Sequence, residues 1–280
     1  MTRTISVANQ KGGVGKTTTA VNLAAALAAD GRRVLLVDLD PQGNASSAVG
    51  VPQSDVEVGS YHVLMGEARI DRAILETDLE LLHVLPSHRD LAGAPLELTG
   101  VDGAHYRLKK ALERVLVGFD YVIIDCPPAL DLLTLNALTA SDSVLVTVQC
   151  EYYAMEGLSK LSATIATVKE ELNTTLDIEG ILFTMYDGRT TLAQQVVQEV
   201  KGYFGQAVFQ TLVPRNIRLS EAPSFGMPCI LYDYQSRGSQ AYLKLAREID
   251  QRYVKKPELR KRPKRPHAMR GAEARASRTS

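Results

Sequence analysis

An octapeptide near the start of the chain, QKGGVGKT at residues 10–17, combines three glycines with two lysines and a threonine. Three glycines allow the backbone to turn so that its N–H groups point into one concavity, which suits phosphate oxygens. Lys16 offers a point charge to the outer phosphates, and the Thr17 hydroxyl is placed to ligate Mg²⁺. A helix that begins near Thr17 adds the positive end of its dipole. The segment therefore predicts a phosphate-binding loop.

The flanks of this loop support the same interpretation. The β-branched run Thr4-Ile5-Ser6-Val7 precedes it, and residues 18–27 carry apolar side chains at helical spacing. Strand, glycine-rich loop and helix form the context that a phosphate loop requires. The usual pattern G-x-x-x-x-G-K-[ST] is modified here, since Gln10 takes the first position and Lys11 adds a second lysine. This spacing disfavours the alternative of a plain solvent loop before a helix.

Acidic residues follow two apolar runs of strand length. Residues 33–37 lead into Asp38 and Asp40, and residues 121–124 lead into Asp125. Chemistry in parallel sheets gathers at the carboxyl ends of the strands, so we expect these acids beside the phosphate loop. Asp125 matches the acid that reaches Mg²⁺ in phosphate-loop proteins, usually through water. The alternative for Asp38 and Asp40 is a pair of solvated turn acids.

The coarse pattern alternates strands with helices. Strands are predicted at residues 4–7, 33–37, 79–86, 121–125, 143–148, 178–185 and 207–212. Helices are predicted at residues 18–27, 61–66, 87–98, 106–117, 132–140, 155–172, 191–204 and 238–254. This alternation is typical of an α/β fold with a mostly parallel sheet.

Five segments together resemble the ParA/Soj family of chromosome- and plasmid-partitioning ATPases. They are KGGVGKTT from residue 11, LLVDLDPQGN at 35–44, VIIDCPP at 122–128, TMYDGRT at 184–190 and VPRNIRLSEAPS at 213–224. The resemblance extends from Thr4 to about Val254 and favours the chromosomal, Soj-like branch. It implies a three-layer P-loop NTPase fold with a mostly parallel, twisted sheet and helices on both faces.

The resemblance also implies a set of site residues for ATP and Mg²⁺. The implied nucleotide contacts are Lys11, Gly12, Gly13, Val14, Gly15, Lys16, Thr17, Thr18, Pro214 and Asn216. The implied metal ligands are Thr17, Asp38 and Asp125, and the implied catalytic residues are Lys11, Lys16 and Asp40. Asp40 would orient or activate the attacking water, while Pro214 and Asn216 would frame the adenine. From residue type alone, the Pro214 segment would be interpreted as a turn.

The second lysine implies a homodimer. By resemblance, Lys11 would reach across a two-fold axis to phosphates that the partner subunit binds, so that ATP is sandwiched between two copies. Two adjacent ATP–Mg sites carry excess negative charge, which a lysine donated in trans offsets. The dimer would form with ATP and separate after hydrolysis. The alternatives are a phosphate contact within the same chain or a solvated lysine.

Arg189 and Arg218 match family positions that contact double-stranded DNA without sequence preference in the ATP-bound dimer. A two-fold axis would present both arginines twice, so DNA affinity would depend on dimerisation. The alternative is that both arginines make surface ion pairs. The resemblance further implies that a ParB/Spo0J-like centromere-binding protein stimulates hydrolysis, with no membrane partner.

The distribution of charge divides the chain of 280 residues, whose net charge is zero. Residues 255–280 carry ten Lys or Arg against two Glu, a net of +8, which leaves residues 1–254 at about −8. Residues 1–254 therefore have no overall positive charge, so any contact of this part of the chain with DNA must come from a local basic patch. We expect an ATPase domain at 1–254 and a disordered tail at 255–280. The tail is either an added DNA-binding arm or a solubilising segment.

Composition also restricts the location and the class of protein. The three cysteines form no C-x-x-C pair, which argues against a disulfide framework, a zinc site or a shared iron–sulfur cluster. The chain has no signal-peptide pattern and no apolar run near the roughly 18 residues that span a bilayer. We expect a cytoplasmic, nucleoid-associated protein. Two other hypotheses remain, a MinD-like membrane-cycling ATPase and an ATP-dependent metabolic ligase on the same fold.

Overall fold

One sheet of seven strands organises residues 2–255, which are the residues that the computed structural model describes, with side chains described through Arg252. The strand order is β3-β4-β2-β5-β1-β6-β7, and β3 alone in this sheet runs antiparallel to its neighbour. The strands are β1 Arg3–Ala8, β2 Val34–Asp38, β3 Leu75–Glu76, β4 Leu82–Leu85, β5 Tyr121–Asp125, β6 Ser143–Gln149 and β7 Asp177–Thr184. The predicted mostly parallel sheet is confirmed.

Helices connect the strands and cover both faces of the sheet. The α-helices are α1 Lys16–Ala29, α2 Asn44–Ser47, α3 Ser60–Met65, α4 Ile70–Ala73, α5 Ala94–Glu97, α6 Arg107–Leu112, α7 Leu132–Ala140, α8 Ala154–Glu171, α9 Thr191–Phe204, α10 Ile217–Glu221, α11 Cys229–Tyr232 and α12 Arg237–Lys255. No helix within residues 2–255 has the length and apolar content to cross a bilayer.

Two hydrophobic cores lie on opposite faces of the sheet. Successive side chains of a strand point to opposite faces, so each buried strand contributes to both cores. In β2, Leu36 belongs to the core shared with α1 and α12, whereas Leu35 and Val37 belong to the core shared with α3 to α9. A strand buried on both faces has a continuous apolar sequence, as residues 34–37 do.

Helix α1 is central because it follows directly from the phosphate loop. Its inner face is built of small side chains such as Ala24, so it packs closely on the sheet and on α12. The Thr19 hydroxyl lies 3.0 Å from the hydroxyl of the buried Tyr242 in α12. The helix ends before Asp30-Gly31, where Gly31 adopts the left-handed conformation with φ 84°.

The predicted strand at residues 207–212 is wrong. This segment makes isolated contacts with β7, in which Phe209 N donates to Ile181 O at 2.9 Å. The next two amides, of Gln210 and Thr211, donate instead to the Glu248 carboxylate in α12 at 2.8 and 3.0 Å. Because a side chain takes these amides, no regular ladder with β7 can form.

Two predicted helices are also shorter or broken in the structure. Residues 87–98 contain a 3₁₀ turn and the short α5, because Gly93 and Pro95 interrupt the helical pattern between them. Residues 106–117 contain α6 and then a 3₁₀ turn at Leu116–Gly118. By contrast, the bounds predicted for β5, α7 and α9 are those of the structure.

The predicted boundary at residue 254 falls one residue before the end of α12. The expectation of a disordered basic tail concerns residues that, apart from Lys255, lie outside the described residues. That expectation therefore stays a prediction.

Gly180 in β7 provides a test of the packing between β7 and the 207–212 segment. A Cβ at this position would lie 2.5 Å from Cε2 of Phe209 and 2.9 Å from the carbonyl oxygen of Ala207. We therefore expect Gly180→Ala to lower the free energy of unfolding by about 1–3 kcal/mol, because a packed core cannot accept the extra methyl group without strain. Urea titration measures the change.

Gly202→Ala is the matched control for this substitution. Gly202 lies inside α9, and a Cβ there would meet nothing within 4 Å. Alanine in an open helical position should raise stability by about 0.5–1 kcal/mol. A Gly180→Ala protein with the urea midpoint of the unmodified protein would contradict the proposed close packing.

Candidate nucleotide and magnesium site

The loop between β1 and α1 has the open, glycine-dependent backbone that phosphate binding requires. Gly13 and Gly15 take φ values of 72° and 82°, a region that side chains with a Cβ disfavour. A Cβ at Gly12 or Gly13 would meet nothing within 4 Å, so this side of the loop faces open space. The exposed backbone of the loop is therefore free to face a ligand.

Three polar side chains that sequence reasoning missed hold this loop. The Asn9 side-chain oxygen accepts from Lys11 N at 2.9 Å, Gln149 Nε2 donates to Gly13 O at 2.8 Å, and the Thr184 hydroxyl donates to Val14 O at 2.8 Å. They follow or end β1, β6 and β7, whose carboxyl ends meet beside the loop. A polar residue at the end of each apolar strand was the available signal.

Lys16 lies inside the loop and is 6% exposed. Its Nζ donates to the carbonyl oxygen of Lys11 at 3.0 Å. Burial lowers the pKa of the Lys16 ammonium, and the nearby acids Asp125 and Asp40 oppose that shift. A hydrogen bond between an ammonium and a phosphate oxygen is charge-assisted on both sides, so a phosphate can compete for this lysine with the neutral carbonyl.

Asp38 and Asp125 lie side by side at the ends of β2 and β5, where they are register partners. Both are fully buried. Asp38 accepts hydrogen bonds from Ser46 N at 2.8 Å, from the Ser46 hydroxyl at 2.6 Å and from Asp40 N at 3.1 Å. Asp38 thus anchors the loop that follows β2, and Ser46 is a further residue that sequence reasoning missed.

Asp125 has a different environment from Asp38. Neither of its carboxylate oxygens has a hydrogen-bond donor of good geometry among the described residues. Burial raises its pKa well above the usual range, and the charge of Asp38 raises it further, while the Thr17 hydroxyl and Lys16 act in the opposite direction. A buried, unpartnered carboxylate beside a second one is favourable only near additional positive charge.

The donor set at this point fits Mg²⁺. Mg²⁺ prefers oxygen ligands, and it is usually bound through one or two carboxylates, waters and substrate phosphates. The orphaned carboxylate of Asp125 and the half-buried Thr17 hydroxyl supply such oxygens beside the loop. Asp38 contributes negative charge, although Ser46 and Asp40 already occupy its oxygens.

Asp40 lies on the loop after β2 and is 9% exposed. Its carboxylate accepts from Gln42 N at 3.0 Å, and its carbonyl accepts from Gly43 N at 3.0 Å. These bonds form a tight turn, and Gly43, with φ 64°, then begins α2. Asp40 is therefore a largely buried acid that hydrogen bonds fix in a turn near Lys16. It is not the solvated turn acid considered above as the alternative.

The Lys11 side chain forms an ion pair with Glu151, on the loop between β6 and α8. The two side chains are 57% and 49% exposed, so the pair lies on the surface beside the loop opening. Exposed pairs of this kind stabilise a protein by about 0.2–1 kcal/mol. The pair is thus weak enough for Lys11 to exchange its partner.

Pro214 and Asn216 lie beside the end of β7. Tyr186 N donates to Val213 O at 2.9 Å, and Arg215 N donates to Tyr186 O at 3.2 Å, which places this segment parallel to the residues after Thr184. The Asn216 side-chain oxygen accepts from Arg218 N at 2.9 Å and caps α10. Its amide group remains a donor for a ligand.

The same two segments carry the arginines predicted to contact DNA. Arg189 makes two hydrogen bonds to the Asp187 carboxylate, at 2.9 and 2.6 Å. Arg218 pairs with Glu221 at 2.8 Å and with Asp233 at 3.3 Å. Ion pairs are therefore present at both positions in this protomer. Arg215, a third exposed arginine on these segments, was not found from the sequence.

The orphaned carboxylate leads to a prediction about stability. Because the folded-state pKa of Asp125 is raised above its unfolded value, the metal-free protein should lose stability as pH rises from about 4 through the folded pKa. Asp125→Asn removes the buried charge, so we expect a higher thermal midpoint in EDTA at pH 8 and a smaller loss between pH 5 and pH 8. Calorimetry measures both.

Asp102→Asn, at an exposed position, is the control for the change of charge. It should leave both the midpoint and its pH dependence close to those of the unmodified protein. Equal pH dependence in the Asp125→Asn and unmodified proteins would show that the Asp125 carboxylate is not destabilising in the metal-free fold.

Comparison with known proteins identifies relatives of this chain. A family model described as an AAA domain matches residues 2–178. The chain is 57% identical to the sporulation initiation inhibitor protein Soj of Bacillus subtilis, over 89% of this chain and 98% of that protein. It is 54% identical to the chromosome partitioning protein ParA of Myxococcus xanthus, over 92% of each chain.

A solved structure shows the same fold with ligands. It is the crystal structure of cobyrinic acid a,c-diamide synthase from Mycobacterium smegmatis with bound ADP and magnesium. It superposes with a TM-score of 0.80 at 40% identity, over 91% of this chain and 96% of that one. From the matched family model and these nearly full-length relatives, it follows that the chain belongs to the ParA/Soj family of chromosome-partitioning ATPases.

Proposed function

We propose that this protein is an ATP-driven switch for DNA segregation. Two copies sandwich ATP and Mg²⁺, the resulting dimer binds double-stranded DNA without sequence preference, and hydrolysis returns the copies to monomers. A ParB-like centromere-binding protein stimulates hydrolysis and so couples the cycle to its cargo. The observation that carries the proposal is the buried, unpartnered Asp125 carboxylate next to Lys16 under an open glycine loop.

Binding of the nucleotide with Mg²⁺ rests on the loop backbone and on four side chains. The N–H groups of residues 12–18 and the start of α1 face the phosphates, and Lys16 pairs with the outer phosphate oxygens. Thr17 and Asp125 would hold Mg²⁺, with Asp38 adding negative charge behind them, and the ion would supply positive charge next to the phosphates. The solved relative with ADP and magnesium, on the same fold, supports this assignment.

Hydrolysis in this site is positioning plus electrostatic stabilisation, without a covalent intermediate. Asp40 orients the attacking water from a turn that its own carboxylate stabilises through Gln42 N. The turn follows β2 directly and is anchored by Asp38 through Ser46. The position of Asp40 therefore depends on the end of β2, the strand end that also carries Asp38 of the proposed metal site.

Dimerisation uses Lys11, which exchanges Glu151 for the phosphates of the partner's ATP. Its position at the loop opening and the exposure of its side chain support this exchange. An ammonium near a triphosphate gains more than it loses from a surface carboxylate, because the phosphates carry more charge and are screened less in a closed interface.

DNA binding uses Arg189 and Arg218 on the two segments at the end of β7. Both are exposed, and a two-fold axis presents each of them twice. The remaining body is acidic, so these arginines attract DNA as a local patch and only when two copies combine them. The basic tail at 255–280 is either a further DNA-binding arm or a solubilising segment.

The other two hypotheses are less favoured. A metabolic ligase would agree with the solved synthase at 40% identity, whereas the relatives at 57% and 54% are named Soj and ParA. Cosedimentation in the presence of ATP distinguishes a MinD-like membrane cycle from the proposed function. One set of samples contains liposomes and the other contains DNA. Consumption of a small molecule in proportion to ATP would support the ligase.

Lys11→Ala tests the sandwich dimer. We expect the variant to bind ATP but to remain a monomer with ATP and Mg²⁺, because the charge of two adjacent triphosphates is no longer offset in trans. Sedimentation velocity measures the association. Lys160→Ala is the matched control, since it breaks another exposed lysine–glutamate pair, with Glu156 on α8. Dimerisation of Lys11→Ala at the level of this control would refute the role in trans.

Arg189→Ala/Arg218→Ala tests the DNA surface. We expect the dimer to form, but the slope of log affinity against log salt should fall by about 3 to 4, because each arginine neutralises one phosphate per copy. Fluorescence anisotropy with a random duplex in ATP measures the affinity. Arg69→Ala/Arg89→Ala removes two other exposed, paired arginines and should leave the slope unchanged. Normal binding by the first variant would exclude this surface.

A further inference from the structure

We propose that Asp187 is an intramolecular competitor of DNA, which limits the affinity of the DNA surface by occupying the guanidinium group of Arg189. The inference rests on the proposed function, because it assumes that Arg189 contacts DNA phosphates. Its subject is a residue outside the nucleotide site, on the loop between β7 and α9. It explains why an acid pairs with an arginine proposed to bind DNA transiently.

The pair between Asp187 and Arg189 is a two-pronged contact. Arg189 Nε lies 2.9 Å from one carboxylate oxygen, and its NH2 nitrogen lies 2.6 Å from the other. The Arg189 side chain is nevertheless 90% exposed, while that of Asp187 is 29% exposed. The carboxylate therefore covers one edge of the guanidinium group and leaves its faces to solvent.

The backbone of this loop holds the pair in place. The Asp187 carboxylate also accepts from Arg189 N at 3.1 Å, and the Asp187 carbonyl accepts from Thr190 N at 3.2 Å. Gln194 in α9 donates from its side chain to Gly188 O at 2.7 Å. Since the turn is hydrogen-bonded at both ends, the two side chains meet with little further loss of conformational freedom.

A DNA phosphate competes with Asp187 for the N–H donors of Arg189. Arginine binds phosphate and carboxylate through the same planar fork of N–H donors, so one edge cannot serve both. Contact through the covered edge requires the ion pair with Asp187 to break, so the free energy of that pair is lost from DNA binding. Contact through another edge leaves the pair in place, so the phosphate meets fewer free donors on a guanidinium group whose charge Asp187 already offsets in part. In both cases Asp187 weakens binding.

Asp187→Asn tests the proposal with the side chain closest in shape. Asparagine keeps an oxygen for Arg189 N but has no negative charge to hold the guanidinium group. With ATP and Mg²⁺, we expect the variant to bind a random DNA duplex about three- to thirtyfold more tightly. The reason is that DNA binding no longer has to break an exposed ion pair in each of the two copies. Anisotropy at fixed salt measures the affinity, and circular dichroism verifies folding.

Asp71→Asn is a closely matched control. Asp71 pairs with Arg69 through the same two-pronged geometry, at 2.9 and 3.0 Å, across the same spacing of two residues. The substitution removes the same charge from a different exposed surface, so any general effect of net charge on DNA affinity appears in both variants. Equal affinities of Asp187→Asn and Asp71→Asn would overturn the proposal.

A double-mutant cycle tests whether the effect of Asp187→Asn on DNA affinity requires Arg189. In an Arg189→Ala background, Asp187→Asn should change affinity by no more than about twofold, because no guanidinium group remains to be released. A gain of the full size in that background would overturn the proposal, since the carboxylate would then act on DNA without Arg189. If Arg189→Ala/Arg218→Ala itself binds DNA normally, the proposed DNA surface fails, and this outcome is distinct from the failure of Asp187 alone.

Discussion

The proximity of two buried carboxylates at neighbouring strand ends is the constraint on which the site depends. The parallel register of β2 and β5 places Asp38 beside Asp125, and both side chains are removed from water. Asp38 is satisfied by Ser46 and the backbone of Asp40, whereas Asp125 has no such donors among the described residues. The fold thus holds an unpartnered buried carboxylate beside a second one, and in the proposed site a bound cation would relieve this unfavourable arrangement.

Strand β7 joins the phosphate loop to the segments that carry the arginines proposed to contact DNA. Thr184 at its end donates to Val14 O in the loop, and Gln149 donates to Gly13 O while lying 2.9 Å from the Met185 sulfur. Met185 has φ 50°, a left-handed conformation that no other non-glycine residue takes within residues 2–255. Arg189 follows four residues later. A change in the loop therefore has a short, contiguous route to the arginine.

The cations assigned to contacts between molecules are all paired within the protomer. Lys11 pairs with Glu151, Arg189 with Asp187, and Arg218 with Glu221 and Asp233. Each exposed pair is weak, at about 0.2–1 kcal/mol, so a multiply charged ligand can open it. At these three positions a single copy therefore offers little free positive charge. In the proposed cycle, this arrangement favours a state in which nucleotide, second copy and DNA are bound together.

What the sequence by itself determined is the local chemistry. The glycine loop, the acids after residues 37 and 124, and the stop at Asp30-Gly31 follow from backbone preference and from apolar runs, which depend on near neighbours. The bounds of β5, α7 and α9 were predictable for the same reason. The family resemblance added the roles of Lys11, Asp40 and Arg189, which spacing alone does not supply.

What only the tertiary structure decided are contacts between residues far apart in the chain. Glu248 takes the amides of Gln210 and Thr211, so an apparently β-forming segment does not pair as a strand. Ser46 anchors Asp38, and Glu151 holds Lys11. In each case, a side chain from another segment pairs with a polar group whose partner cannot be predicted from the residues next to it in the sequence. The outcome depends on which groups the packed fold brings within hydrogen-bonding distance, a property that no single stretch of sequence contains.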